Sequence, residues 1–181
     1  MGIAASQARY LYLTARQTNV EFEGQQINQA RTNLANEQAG LFREMLEIEA
    51  PIMPTLYAIQ QQISAWAPNG PDVTDATKYP QGENDPQYQY DMSLWMASNN
   101  GTDANAAYNV AVDEYNAKQL QYEEAMEQIN LKSEEVHQRD QVLELQLRQL
   151  DTEQQTIVTE LESVKKVIDK NIENVFKSSE S

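Results

Sequence analysis

The sequence contains no cysteine. It therefore has no disulfide, no thiolate ligand for zinc and no cysteine nucleophile. Basic residues are also scarce, since 13 Lys and Arg oppose 28 Asp and Glu and give a formal net charge of -15. A charge of this sign repels phosphate backbones, so nucleic-acid binding lacks its main driving force. We predict no nucleic-acid partner.

Long apolar runs are missing as well. No segment approaches the run of about 18 apolar residues that a membrane-spanning helix needs. Two arginines precede residue 17, but no apolar stretch follows them, so a cleaved signal peptide is not expected. We predict that the protein has no integral membrane segment and is either exported without a cleaved signal peptide or cytoplasmic.

The segment 103–178 carries a seven-residue apolar repeat, without Pro or Gly after Gly101. One row of the repeat consists of Tyr108, Tyr115, Tyr122, Ile129, Val136, Leu143, Leu150, Ile157 and Val164. This spacing is typical of a single coiled-coil helix. At 1.5 Å per residue, such a helix would be about 110 Å long.

A second and thinner repeat occupies residues 1–50. Its single apolar row consists of Leu13, Val20, Ile27, Leu34, Leu41 and Ile48. A helix with one apolar row cannot bury that row alone, so it is expected to lie against a richer partner.

Residues 51–102 separate the two repeats. Pro51 and Pro54 end the first helix, and a short helix is predicted from Pro54 to Trp66 with Leu56, Tyr57, Ile59, Ile63 and Trp66 on its apolar face. Residues 68–87 predict an irregular loop, and residues 88–96 one or two helical turns. Thr102 or Asp103 is expected to cap the long helix.

These segments predict an all-α fold, namely an elongated antiparallel helical hairpin or coiled coil with a small irregular knob at its far end. Matching the segment lengths places residues 3–50 beside residues 129–176. The domain prediction is an N-terminal coiled-coil helix over 1–50, a short helix with a loop and an aromatic knob over 51–102, and a long C-terminal helix over 103–178.

Five polar residues interrupt the long repeat: Gln119, Ser133, Asp140, Gln154 and Asn171. Buried polar residues at such positions can fix the register or the oligomer number, and the alternative is that water reaches them. For Asp140, an ion pair with Arg139 or with an arginine of the first helix is expected.

Candidate catalytic chemistry is sparse. His137 is the only histidine, and the acidic groups lack the spacing of a calcium-binding loop. We predict no enzyme activity, no catalytic residue, no cofactor and no metal. Tyr57, Trp66, Tyr79, Tyr88, Tyr90 and Trp95 form a cluster that is either a recognition surface or, as we favour, a small core.

The apolar stripe widens near the C-terminus. Two helices cannot cover three apolar rows, so this end is predicted to contact further copies or a partner. The predicted protein-interaction residues are Ile157, Val158, Leu161, Val164, Val167, Ile168, Ile172, Val175 and Phe176, with Leu13, Val20 and Ile27 on the first helix.

The run from Asn33 to Phe42, Asn-Leu-Ala-Asn-Glu-Gln-Ala-Gly-Leu-Phe, resembles the N-terminal signature of bacterial flagellar axial proteins of the rod and hook. That resemblance implies unfolded export by type III secretion and stacking of paired terminal helices into a filament. The spacing to Gly40 is one residue short of the family pattern, a Thr before it is missing, and residues 164–181 do not match the C-terminal motif.

The predicted function is therefore that of a non-enzymatic structural protein that self-assembles as a homo-oligomer or filament, as a subunit of an exported bacterial appendage. The alternative is a cytoplasmic coiled-coil adaptor or chaperone-like protein that binds a helix of another protein.

Overall fold

The computed structural model describes residues 3–179, and the side chains of residues 3–177. Within this range the chain forms helices and no strand, which confirms the all-α prediction. The helices are α1 Ile3–Glu47, α2 Leu56–Trp66, α3 Pro86–Ala97 and α4 Ala104–Ser179, with a 3-10 turn at Gly82–Asn84.

The chain divides into two compact units. Within the described residues, the first unit combines residues 3–44 with residues 130–179, and the second unit comprises residues 45–129. The long helix α4 contributes to both.

In the first unit, α1 packs antiparallel against α4. Arg9 bonds to Glu160, Arg16 to Glu153 and Arg31 to Asp140, so residue numbers rise on one helix as they fall on the other. The seam between the helices buries Leu13, Val20, Ile157 and Val164, and Leu150, Leu161 and Ile168 pack against this cluster. The predicted antiparallel pairing of α1 with α4 is thereby confirmed.

The register of this pairing differs from the length-based prediction. Arg9 lies beside Glu160, whereas matching segment lengths places it beside residue 170. The length-based alignment places Leu13 opposite Lys166, off the apolar row of α4, whereas the observed one places it opposite Ile157. Matching the apolar rows still fixes the register only to within a multiple of seven residues, because the rows repeat at that interval. The polar pairs select the observed register, because Arg31 bonds to Asp140 and Gln38 bonds to Ser133 only in this alignment.

In the second unit, short helices surround a small apolar core. Ile59 and Ile63 of α2, Leu94 of α3, and Ala107 and Ala111 of α4 form its buried cluster. Small alanine side chains on α4 let the two shorter helices approach its backbone closely.

The caps explain where these helices start. Thr55, not Pro54, precedes α2, and its hydroxyl accepts a hydrogen bond from the Ala58 amide. Asp85 caps α3 with Pro86 in the first turn, so α3 has 12 residues and is longer than predicted. Asp103 caps α4, as one of the two predicted candidates, by accepting from the amides of Asn105 and Ala106.

Candidate interaction surface

The structure separates the predicted interaction residues into three groups. Four of them form the buried seam: Leu13, Val20, Ile157 and Val164. Three are partly buried, namely Ile27, Leu161 and Ile168. The other five remain exposed: Val158, Val167, Ile172, Val175 and Phe176. The seam residues are thus used within the chain, while the widened part of the stripe stays at the surface.

One side of the seam is lined by ion pairs. Arg9 and Arg16 of α1 contact Glu160 and Glu153 of α4, at 3.5 and 2.8 Å. We call these four residues the ion-paired edge. Each arginine lies four residues before a seam residue of α1, and each glutamate four residues before a seam residue of α4. Both helices therefore direct charge to the same side.

The opposite side is apolar. A helix turns by about 100° per residue. A residue three positions before a seam residue therefore lies to one side of it, and a residue four positions before it lies to the other side. Tyr10 and Leu161 stand at such positions, Val158 follows Ile157 directly, and Ile168 and Ile172 continue this side of α4. The exposed Lys165, which follows Val164 directly, lies between Val158 and Ile172 and is the charged member of this row on α4. We call Tyr10, Val158, Leu161, Ile168 and Ile172 the apolar edge.

The polar contacts confirm this division of the two sides. Gln154, which lies three positions before Ile157, donates to Glu21 of α1 at 3.5 Å, and Gln17 donates to the same carboxylate at 3.0 Å. Gln17 lies three positions before Val20. The two glutamines and Glu21 therefore border the apolar edge.

Exposure shows how much of the apolar edge the helix pair leaves uncovered. Tyr10, Val158 and Ile172 retain 38%, 39% and 41% of their accessible surface. Leu161 and Ile168 are half-buried because they also pack on the seam cluster. The sequence predicted the third apolar row but missed the ion-paired edge, although arginines and glutamates that each repeat at seven residues were a signal for it.

The polar seam residues have different environments. Arg31 donates two hydrogen bonds to Asp140, at 2.7 and 3.1 Å, so the expected ion pair is with the first helix and not with Arg139. The hydrogen bond from Arg31 lowers the pKa of Asp140 below its ordinary value, because it stabilises the carboxylate. Gln38 donates to Ser133 at 2.8 Å. These pairs support the register-fixing interpretation.

The environments of Gln119 and Asn171 differ from those of Asp140 and Ser133. Gln119 bonds to Glu123 of its own helix. The Nδ2 atom of Asn171 and the hydroxyl of Ser6 are buried with no hydrogen-bond partner among the described residues. Ser6 also lines a shallow groove of about 200 Å³ beside Val164 and Val167. Buried polar atoms without a partner weaken this end of the seam.

A wider groove of about 730 Å³ borders the Arg31–Asp140 pair and includes His137. The His137 ring bonds only to Gln141 of its own helix, and its side chain is exposed. Within residues 3–177, His, Asp and Glu form no group of three or more that could hold a metal ion.

The aromatic cluster lies mainly in the second unit's interior. Tyr79 and Trp95 are buried, and Trp66, Tyr88 and Tyr90 are half-buried, which agrees with the core interpretation. Tyr57 departs from it, because 72% of its surface is exposed.

A second exposed apolar segment was not predicted as a surface. Ile52, Met53 and Leu56 retain 92%, 58% and 42% of their accessible surface next to the exposed Tyr57. Leu56 and Tyr57 were expected on the apolar face of α2 together with Ile59, Ile63 and Trp66, but α2 buries Ile59 and Ile63 and leaves Leu56 and Tyr57 at the surface.

The chain was compared with known proteins. No protein family model matches it, and no match was found among the curated proteins or the solved structures. None of the helices in the described range has a stretch long and apolar enough to span a lipid bilayer.

Proposed function

We propose that this chain is a non-enzymatic structural protein that self-assembles through its paired terminal helices. The observation that supports the proposal is the apolar edge, where Tyr10, Val158 and Ile172 keep about two-fifths of their surface exposed beside a fully formed seam.

Helix geometry explains why this edge supports association with further helices. A two-helix coiled coil needs two apolar rows per helix and surrounds them with charged residues. A third apolar row is typical of helices that belong to larger bundles. Covering each of these partly exposed side chains would contribute roughly 1 kcal/mol, so several of them together favour association.

The sequence run from Asn33 to Phe42 supports a more specific proposal, a subunit of an exported bacterial appendage. The run lies within α1, with Leu34 and Leu41 buried and Phe42 55% exposed. Its resemblance to flagellar axial proteins concerns a helix that, in that family, assembles with other copies.

Sedimentation equilibrium over a wide range of protein concentration tests self-assembly. A filament subunit is expected to show a mass that keeps rising with concentration. A small oligomer of fixed number would exclude the filament and indicate a closed assembly of copies. A monomer at every concentration would contradict self-assembly.

The appendage proposal has its own test in cells of the encoding organism. Mechanical shearing removes surface appendages, and an antibody against the chain should then detect it in the sheared fraction. Detection in the cytoplasm alone would contradict export.

A further inference from the structure

We propose that the apolar edge is the contact surface between copies of this chain, and that it packs against the same edge of a second copy. This inference rests on the proposed self-assembly and adds the side of the helix pair that is used. The ion-paired edge then lies on the outside of the contact.

The two edges differ in what a neighbouring helix would meet. On the ion-paired edge, Arg9–Glu160 and Arg16–Glu153 already span the seam, and an approaching apolar surface would have to desolvate them. On the side of the apolar edge, the salt bridge found between α1 and α4 within residues 3–177 is Arg31–Asp140, which lies 18 residues along α4 from Val158 and therefore outside the apolar edge. A partner therefore covers the apolar edge at the lower cost.

The apolar edge is also continuous with the existing core. Leu161 and Ile168 pack on the cluster of Leu13, Val20, Ile157 and Val164 while part of each side chain still faces outward. A side chain from a second copy that covers them would extend one apolar core across both helix pairs, as in a four-helix bundle.

Charge favours a second copy at this place. Residues 3–20 and 150–167, which the observed register brings side by side, contain four basic and four acidic residues. Residues 21–149 contain seven basic and 21 acidic residues. Two copies would repel each other through most of their surface but can approach through this neutral part.

The border of the edge suits a symmetric contact. Gln17 and Gln154 each carry a donor and an acceptor in one amide group, so identical side chains from a second copy can pair with them. Glu21 and Lys165 add one charge of each sign to this side, and an apolar centre with a polar border is the usual composition of a protein interface. A two-fold contact uses the same patch twice and requires this kind of self-complementarity.

Two matched cysteine variants test the proposal, because the native chain has no thiol. V158C places a thiol on the apolar edge, and V167C places one on the other side of α4, beside Arg9 and Ser6. The native valines are 39% and 38% exposed, so the monomers should react with a maleimide probe at similar rates. Labelling rates are measured on the pure full-length chain below and above the concentration at which sedimentation shows assembly.

The expected result is protection of V158C alone. If about nine-tenths of the chains are assembled, its labelling should slow about tenfold, because only the unassembled fraction reacts. V167C should react at the same rate at both concentrations. A bismaleimide added to a mixture of two differently tagged V158C chains should join the two tags, which identifies the occupant as another copy.

The experiment separates an error in the choice of edge from an error in the proposed self-assembly. If the chain assembles but V158C and V167C are protected equally, or V167C alone, the choice of edge is wrong and self-assembly stands. If the pure chain stays monomeric, self-assembly itself is wrong. Protection of V158C only after addition of a different protein would overturn the second copy as the occupant.

Discussion

The two units of this protein bury their interiors to different extents. In the second unit, Leu94, Asp91 and Ala107 are 0% exposed, because helices α2 and α3 and the connecting loop enclose them together with α4. In the first unit only two helices share one seam, and its residues Ile157, Leu13, Val20 and Val164 keep 3%, 4%, 5% and 8% of their surface.

The two units also differ in how fully their buried polar groups are hydrogen-bonded. Asp91 in the second unit accepts hydrogen bonds from Tyr79 at 2.7 Å, Gln87 at 2.8 Å and Gln62 at 3.2 Å, and pairs with Lys78 at 2.8 Å. In the first unit, Ser6 leaves a buried polar atom without a partner. The second unit satisfies its buried carboxylate within one chain, although Ile52 and Met53 stay exposed, whereas the first unit has a seam that gains from a further helix.

Breaking the Asp91 network should have the largest effect. Asp91→Ala leaves several buried or half-buried donors without an acceptor, so we expect the second unit to lose about 3 kcal/mol of unfolding free energy. Both tryptophans, Trp66 and Trp95, lie in this unit. Tryptophan fluorescence during urea unfolding therefore reports on it selectively.

Asp113→Ala, at an exposed position of α4, is the control and should leave the fluorescence midpoint nearly unchanged. Equal midpoints for the two variants would show that Asp91 does not hold the second unit together.

Adding one methyl group at Gly101 should have the next largest effect. Gly101 has a φ of 89°, and a Cβ atom there would lie 2.7 Å from the buried Trp95 ring. Gly101→Ala should cost about 2–3 kcal/mol, from backbone strain and from displacement of the indole. The fluorescence midpoint in urea measures this loss.

Gly82→Ala isolates the backbone contribution. Gly82 has a φ of 62°, but a Cβ atom there would have nothing within 4 Å. Its loss should be about 1 kcal/mol. If both alanine variants lose the same amount, contact with Trp95 has no part in the effect.

In the first unit, removing a polar atom should stabilise the seam. Ser6→Ala deletes the unpartnered hydroxyl, and we expect a gain of about 1–2 kcal/mol, of which part is the higher helix propensity of alanine. Thermal unfolding followed by circular dichroism at 222 nm gives the change.

Ser163→Ala is the control for the helix-propensity contribution, since Ser163 is exposed and its hydroxyl bonds to the Thr159 carbonyl. A gain for Ser6→Ala no larger than that for Ser163→Ala would mean that the buried hydroxyl carries no penalty.

The smallest expected effect depends on pH. The pKa of Asp140 is lowered by its hydrogen bond from Arg31, so the pair stabilises the fold above the ordinary aspartate pKa of about 4 and loses this contribution as pH falls through the lowered value. Asp140→Asn should therefore lower the urea midpoint at neutral pH. At a pH below both pKa values the variant and the native chain should unfold alike, and a difference that persists there would rule out ionisation as its cause.

Much of the first unit could be predicted from the sequence, because heptad rows determine helices directly. Leu13, Val20, Ile157 and Val164 were identified as contact residues and are buried in the seam. The register could not be derived from the rows, since a heptad shift preserves them. The pairs Arg31–Asp140 and Gln38–Ser133 resolve it, and the sequence left two partners open for the Asp140 carboxylate.

The second unit was less predictable. Its core depends on Asp91, a buried charge whose partners come from three separate segments, and local pattern gives no signal for such a group. The start of α3 could have been found, because Asp85 followed by Pro86 is a regular helix-start signal. The exposed position of Tyr57 follows from helix geometry, because it lies two residues before the buried Ile59 and therefore on the opposite face of α2.

The central claim is that the first unit assembles through the apolar edge. Sedimentation equilibrium of the Val158→Glu/Ile172→Glu double variant tests it most directly, against a Leu131→Glu/Leu145→Glu variant that adds the same charge at positions 64% and 59% exposed on the same helix. The account predicts a monomer for the first variant and native assembly for the second. Native assembly of the Val158→Glu/Ile172→Glu variant would contradict it.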